Sequence, residues 1–150
     1  ICRRMIILAS EDIGLANPNA LLLANNCFQA VHQIGMPEGR IIMSQTAIYL
    51  ACSPKSNASY VAINQALALV KETGDLPVPL QLRNAPTGLM KDIGYGADYK
   101  YAHDFKNAVS DLECLPDDIK GTKLYAPGAN PAEQKYGELL RHFWKEKYGY

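Results

Sequence analysis

The residues best equipped for chemistry in this chain of 150 residues lie between 83 and 107, in the stretch "RNAPTGLMKDIGYGADYKYAHDFKN". Tyr95, Tyr99, Tyr101 and Phe105 alternate there with Lys100, His103 and Lys106, and rings beside cations can stack on nucleobases while neutralising phosphates. Asp92, Asp98 and Asp104 cancel much of that charge, whereas single-strand sites sit in net positive grooves. The same tyrosines would equally pin a coil in place by burying rings and pairing their hydroxyls. The charge balance favours this clasp, with base stacking as the alternative. His103 next to Asp104 has the composition of a general base and its orienter, yet adjacent residues seldom point together, and no motif marks a serine as nucleophile. A hydrogen-bonded structural histidine is the simpler reading. Lys55, in "SPKSNASY", opens a helix-like run in which Ser56 or Asn57 can cap the first amides and the remaining N–H groups could receive an anion; capping alone suffices to explain it.

Other site chemistries are missing. No GxxxxGK[ST] loop is present to cradle phosphates, so the chain by itself is expected neither to hydrolyse ATP nor to hold a cofactor. "GYGADY" places Tyr99 where a dinucleotide fingerprint needs its third glycine. His32, His103 and His142 belong to no HExxH or Cys/His set, and no metal site is expected. Cys2, Cys27, Cys52 and Cys114 show no CxxC spacing, and three of them fall among apolar residues; they read as reduced core thiols of a cytoplasmic protein.

The elements that must position these residues follow from charge and periodicity. Fifteen basic side chains balance fifteen acidic ones, which removes any whole-molecule attraction to polyphosphate or anionic membrane. Ten of the charges lie in residues 1–75 and twenty in 76–150; segments 13–37, 41–54 and 56–70 contain no Asp, Glu, Lys or Arg. These runs predict helices over 18–34, 38–52 and 57–72. The first is capped by Asn17 with Pro18 and closed at Gly35, with Ala24, Cys27, Phe28, Val31 and Ile34 on one face. The second stops at Pro54, and the third carries Tyr60, Ile63, Leu67 and Val70 at helical spacing up to Gly74. Asn, Gln, Ser and Pro interrupt each run well short of the roughly 20 apolar residues that a membrane span needs.

Solvent-facing helices usually carry Lys and Glu outside, so polar but uncharged faces imply packing against more protein. Asn25, Asn26, Gln29, His32, Gln33 and Asn57 are the interface candidates on these helices; Tyr99, His103 and Asp104 are the structural ones in the coil. Beyond Gly74, Pro77 and Pro79 enforce an extended strap. A short helix is expected at 86–93, a long coil from 95 to 128 with at most a brief helix near 107–112, and a last amphipathic helix. That helix is capped by Asn130, begun by Pro131 and has Glu133 at the capping-box position, with Leu139, Leu140, Phe143 and Trp144 on its apolar side. The chain starts at Ile1 inside a helix-like pattern, the mark of a piece of something larger.

"RRMIILASEDIGLANPNAL", "IGMPEGRIIMSQTAIYLACSPKSNASY", "PVPLQLRNAPTGLMKDIGYG" and "YKYAHDF" together resemble the C-terminal region of the replication-associated recombination protein A family, bacterial relatives of the Werner-helicase-interacting ATPases. The likeness covers residues 3 to about 127 and is weaker in the final helix. It implies a clamp-loader-like AAA+ ATPase whose nucleotide site, with ATP and Mg, lies upstream, and a helical collar-like region that forms a homotetramer. It also implies replication-fork maintenance, DNA-dependent ATPase activity, and DNA and single-stranded-DNA-binding protein as partners. The family motif spans Arg3, Arg4, Glu11, Asp12, Pro37 to Arg40, Lys55 to Asn57, Arg83 to Pro86 and Tyr99 to Asp104, with no catalytic role attached to any.

The expectation is therefore a single all-α oligomerisation domain without catalysis, cytoplasmic and nucleoid-associated. Its uncharged helices form the centre and the coil wraps across them. The alternative is a DNA-contacting module using Lys55, Arg83, Lys91, Lys100 and Tyr101. A small enzyme resting on His103 and Asp104 is the weakest reading.

Overall fold

The computed structural model describes residues 1–150 and contains helices and turns but no strand. Six α-helices occur: α1 Cys2–Leu8, α2 Asn19–Ile34, α3 Gly39–Ala51, α4 Ala58–Thr73, α5 Gly88–Asp92 and α6 Pro131–Tyr148. Short 3-10 turns punctuate the segment from Leu80 to Ile119, and no helix is long and apolar enough to cross a membrane. The chain divides into two compact units, one of residues 1–67 with 124–139, the other of 68–123 with 140–150.

The first unit is built on close helix approach. Ala20, Ala24 and Cys27 recur at helical spacing along α2 and are all buried, and small side chains there let the α1 backbone come near. Ala9, Ile13, Ala20, Ala24 and Leu50 form the core, with Met5, Ile6 and Leu8 packed on it. The α2 face expected from periodicity is thus shifted toward its N-terminus: Ala24 and Cys27 are buried, whereas Ile34 and Phe28 are exposed. Between α1 and α2 the chain widens into a π-helical turn, Ala9–Ile13, then tightens into a 3-10 turn, Gly14–Ala16. The switch is possible because Gly14 takes φ 50°, ψ −134°, a conformation foreign to residues with a Cβ.

Asn17 does not cap α2 with its side chain. Its Nδ2 donates to the Tyr49 hydroxyl and to Ser53 Oγ, each at 3.0 Å, while its carbonyl accepts the Ala20 N–H at 3.0 Å. Pro18, already in helical conformation, takes the cap position, which frees the Asn17 amide to tie the start of α2 to the end of α3. Thr46, buried in α3, donates its hydroxyl to the Ile42 carbonyl at 3.0 Å, the usual way to hide a hydroxyl inside a helix. Ser56 does cap α4, accepting the Ala58 N–H at 3.2 Å.

In the second unit polar ties do much of the work, because no residue of it is fully buried. The proline strap turns into a 3-10 segment at Leu80–Leu82, and Gln81 Nε2 donates to the Glu113 carbonyl at 2.9 Å. Near 107–112, where at most a brief helix is expected, only a 3-10 turn at Lys106–Ala108 forms: Asn107 and Ala108 sit at φ 61° and 53°, left-handed values that cannot propagate a right-handed helix. The cysteines also depart from expectation. All four are free thiols, but only Cys27 is buried; Cys2 is half-buried, and Cys52 and Cys114 are exposed.

Candidate functional site

Two surfaces can carry function, one in each unit. In the first unit, α2 and α3 form the expected centre, but α4, of which residues 58–67 belong to this unit, does not: none of its residues is buried. Tyr60, Ile63 and Leu67 follow one another at helical spacing with 48%, 55% and 61% of their surface exposed. Ile41 and Ile48 on α3 and Leu22 on α2 are each more than half exposed as well. Asn25, Asn26, Gln29, His32, Gln33 and Asn57 all lie on the surface, as does Lys55. The uncharged segments therefore present both bare apolar side chains and neutral polar ones to the outside of the chain.

The first unit also holds a buried carboxylate. Glu133 is wholly enclosed near the start of α6, accepts the Tyr125 hydroxyl at 2.8 Å on Oε1, and accepts Asn130 Nδ2 on Oε2. Asn130 Oδ1 in turn accepts the Glu133 N–H at 3.0 Å, the N-cap half of the capping box read from the sequence, while the Glu133 carboxylate takes the Asn130 side-chain amide in place of its backbone N–H. Burial pushes the Glu133 carboxyl up, but hydrogen bonds from Ser56, Asn130, Tyr125 and the Gly128 N–H together hold it below the ordinary glutamate value. The site ties the 124–130 loop and the residue that caps α4 to the start of α6. Nothing in the sequence pointed to Ser56 or Tyr125 as partners.

In the second unit the coil splits into anchors and bare groups. Arg83 is an anchor: Nε donates to the Val78 carbonyl at 2.6 Å, a second guanidinium nitrogen donates to the Tyr95 hydroxyl at 3.1 Å, and the group lies 5.1 Å from the Tyr95 ring centre. Lys100 is paired with Asp111 at 2.6 Å, and this ammonium holds the Asp111 carboxyl below its ordinary value, first by hydrogen bond and then by charge. Lys91, Tyr101, Tyr99, His103, Asp104 and Phe105 are exposed. The His103 ring rests against Tyr101, 5.1 Å between centres, and donates no hydrogen bond to Asp104 that would orient it, so the pair is not arranged as a catalytic dyad. No group of three or more His, Cys, Asp or Glu is placed to hold a metal ion.

Lys147, on α6, closes the coil from the other end. Its Nζ donates to the carbonyls of Leu112 at 2.7 Å and Asp111 at 3.3 Å and lies 3.6 Å from Glu113 Oε2. Glu113 Oε1 accepts the N–H groups of Cys114 and Leu115, both at 2.9 Å. Burial raises the Glu113 carboxyl, and these amides with the Lys147 charge bring it below its ordinary value. The sequence reading missed this clamp, since an isolated glutamate inside a coil carries no periodic signal.

Residues 1–144 match the family model described as MgsA AAA+ ATPase C terminal. The chain is 45% identical over 141 residues to replication-associated recombination protein A of Escherichia coli (strain K12), covering 93% of this chain and 32% of that protein. It is 44% identical over 146 residues to the protein of the same name from Coxiella burnetii, covering 97% and 33%. With the ATPase WRNIP1 of Dictyostelium discoideum it shares 46% identity over 126 residues, 83% of this chain and 14% of that one. The chain thus spans a third or less of these relatives, and the all-helical architecture agrees with the likeness read from the sequence motifs. It belongs to the MgsA AAA+ ATPase C-terminal family.

Proposed function

We propose that this chain assembles the subunits of a DNA-dependent AAA+ ATPase acting in replication-fork maintenance and recombination, holding them as a homotetramer. The observation that carries the reading is α4, which buries none of its side chains and carries no formal charge from Ala58 to Val70. Apolar surface left in water costs roughly 25 cal/mol per Å², and exposed apolar surface beyond scattered single residues marks a binding face. The neutral polar groups Asn25, Asn26, Gln29, His32 and Gln33 suit the same purpose, because they can be covered without the desolvation cost of a charge.

The names of the relatives support replication-associated recombination and an ATPase as the setting. In this reading ATP and Mg are bound by residues outside this chain, which contributes no catalytic group. DNA and a single-stranded-DNA-binding protein are partners of the whole protein, in the cytoplasm at the nucleoid. Light scattering of the chain at micromolar concentration and moderate salt should give a particle of four copies. Ile63→Asp with Leu67→Asp, both at exposed positions, should reduce it to smaller species while leaving the helical circular dichroism intact. A monomer of the unaltered chain would overturn the reading.

A second reading has its own support. Tyr99 and Tyr101 are 56% and 54% exposed, with Phe105 beside them, so the coil offers rings that could stack on unpaired bases. Binding to a labelled single strand, lost on raising salt and weakened by Lys100→Ala with Tyr101→Ala, would support it. No binding at low salt would reject it.

A further inference from the structure

We propose, building on the reading that the coil meets nucleic acid, that a cavity of the second unit takes one unpaired nucleobase together with its phosphate. Strap, coil and α6 converge there. Tyr99, Lys100, Ala108, Ser110, Cys114 and Trp144 line it, with aliphatic side chains between them, around a volume of about 310 Å³. That volume is at the small end of ligand pockets, which suits a single ring and not a run of bases. Trp144, half-buried on α6, and Tyr99, 56% exposed, offer ring surface on which any base can stack. The Tyr99 and Ser110 hydroxyls make no hydrogen bond within the chain, so both are free to meet the polar edge of that base.

Charge points to the same ligand. Lys100 is the one charged residue in the lining, and its partner Asp111, 2.6 Å away, is exposed with it, so the pair is weak and a phosphate can take the place of the carboxylate. An apolar side chain of another protein would leave Lys100 and both hydroxyls unused. The backbone is also bent to keep the cavity open. Asn107 and Ala108 take left-handed φ values of 61° and 53°, and for an alanine that conformation is strained. It stops the turn at Lys106–Ala108 from winding on into a helix, so the chain from Ala108 to Leu112 runs along the cavity as one of its walls. Strain held beside a cavity is a recurrent feature of ligand clamps.

Trp144 is the only tryptophan, so its emission reports on the cavity directly. Cys114 in the wall and Cys52 in the first unit are both exposed thiols, so alkylation of one against the other gives a footprint. At low salt a short oligodeoxythymidylate should quench Trp144 to saturation and slow alkylation of Cys114 while leaving that of Cys52 unchanged. Tyr99→Ala should weaken the quenching about ten-fold, and Ser110→Ala several-fold. Both variants should keep the helical circular dichroism, since neither side chain is buried or hydrogen-bonded. Thymidine monophosphate separates the two sources of such a ligand. Quenching by the oligonucleotide alone assigns a strand, equal quenching by the mononucleotide assigns a free nucleotide, and either supports the cavity. An oligonucleotide that binds by fluorescence anisotropy without changing Trp144 emission or Cys114 alkylation would overturn the proposal and leave the coil reading standing. Binding of neither ligand would overturn both.

Discussion

Tyr125 donates its hydroxyl to Glu133 at 2.8 Å, joining the loop before α6 to a carboxylate that no water reaches. A glutamate in that position is tolerated because every direction of approach offers a donor: Asn130 from the cap, Ser56 from the start of α4, and the Gly128 N–H from the loop itself. An N-cap is ordinarily a surface device worth about 1 kcal/mol, and here the residue three positions after the Asn130 cap has its carboxylate carried inside, where it holds several segments of the first unit.

Glu133→Gln should therefore destabilise the chain by about 1–3 kcal/mol, since the new amide turns a donor toward groups that are themselves donors. Tyr125→Phe should cost about 1 kcal/mol, one neutral-to-charged bond being lost. Urea midpoints at neutral pH would measure both. The pH dependence has a definite sign. With the native Glu133 carboxyl held below the ordinary glutamate value of 4.5, the unfolded chain takes up the proton first as pH falls. The contribution is complete above that value and is lost as pH drops through the native one. Glu113, shifted in the same direction, adds to the loss in the same window. Glu133→Gln should flatten the acid limb of the urea midpoint against pH; an unchanged limb would mean that other carboxylates govern acid unfolding.

Gly14→Ala tests the joint between α1 and α2. A Cβ there would lie 2.7 Å from the Ser56 carbonyl oxygen, on a backbone that the Ser56 N–H to Asp12 carbonyl bond, 2.8 Å, already fixes. Left-handed strain and a backbone clash together should cost about 3 kcal/mol or more. Gly88→Ala is the matched control, because its added methyl meets nothing within 4 Å; stability should hold or rise by about 0.5 kcal/mol. Thermal melts of the two variants should separate widely.

Lys147→Met removes the cation from Glu113 while keeping much of the packing on Trp144 and Tyr148, whose ring centres lie 5.5 and 5.2 Å from Nζ. Glu113 Oε2 is already without a hydrogen-bond partner, so losing the nearby charge should cost about 1–3 kcal/mol. Glu113→Gln in the Lys147→Met background should recover part of the loss. Trp144 is the sole tryptophan, and its emission should shift in the single variant if the α6 end of the clamp loosens.

The helices were legible because their signals are local: uncharged runs, Gly35 and Gly74 as stops, and Asn130 with Pro131 as a start, all within two residues of the observed bounds. What failed was long-range. Asn17 looks like a cap in sequence, but Tyr49 and Ser53, more than thirty residues away, compete for its side chain. Asn107 sits in a run compatible with a helix, yet its left-handed backbone is of the kind that asparagine adopts more readily than most residues. Composition suggested that Lys100 and Arg83 were comparable cations; only the fold reveals Asp111 beside one and Tyr95 under the other. Buried acids such as Glu133 and Glu113 depend on donors gathered from separate segments, and no periodicity reports that.

Asp111 gives the sharpest means of separating the two readings of the coil. The Lys100–Asp111 pair is exposed on both sides, so Asp111→Asn should leave the thermal midpoint essentially unchanged. Its effect on charge is nonetheless specific, for it releases one ammonium beside Tyr99 and Tyr101. If the coil grips nucleic acid, Asp111→Asn should tighten binding to a single strand several-fold at low salt and steepen the salt dependence by about one counterion, while Lys100→Ala moves both the other way. If the coil is a clasp alone, neither substitution should alter nucleic-acid binding, and the particle size read by light scattering should be the same for both variants as for the unaltered chain. Titrations of the two variants across a salt series, run beside the unaltered chain, decide between these outcomes because folding and assembly provide an internal control.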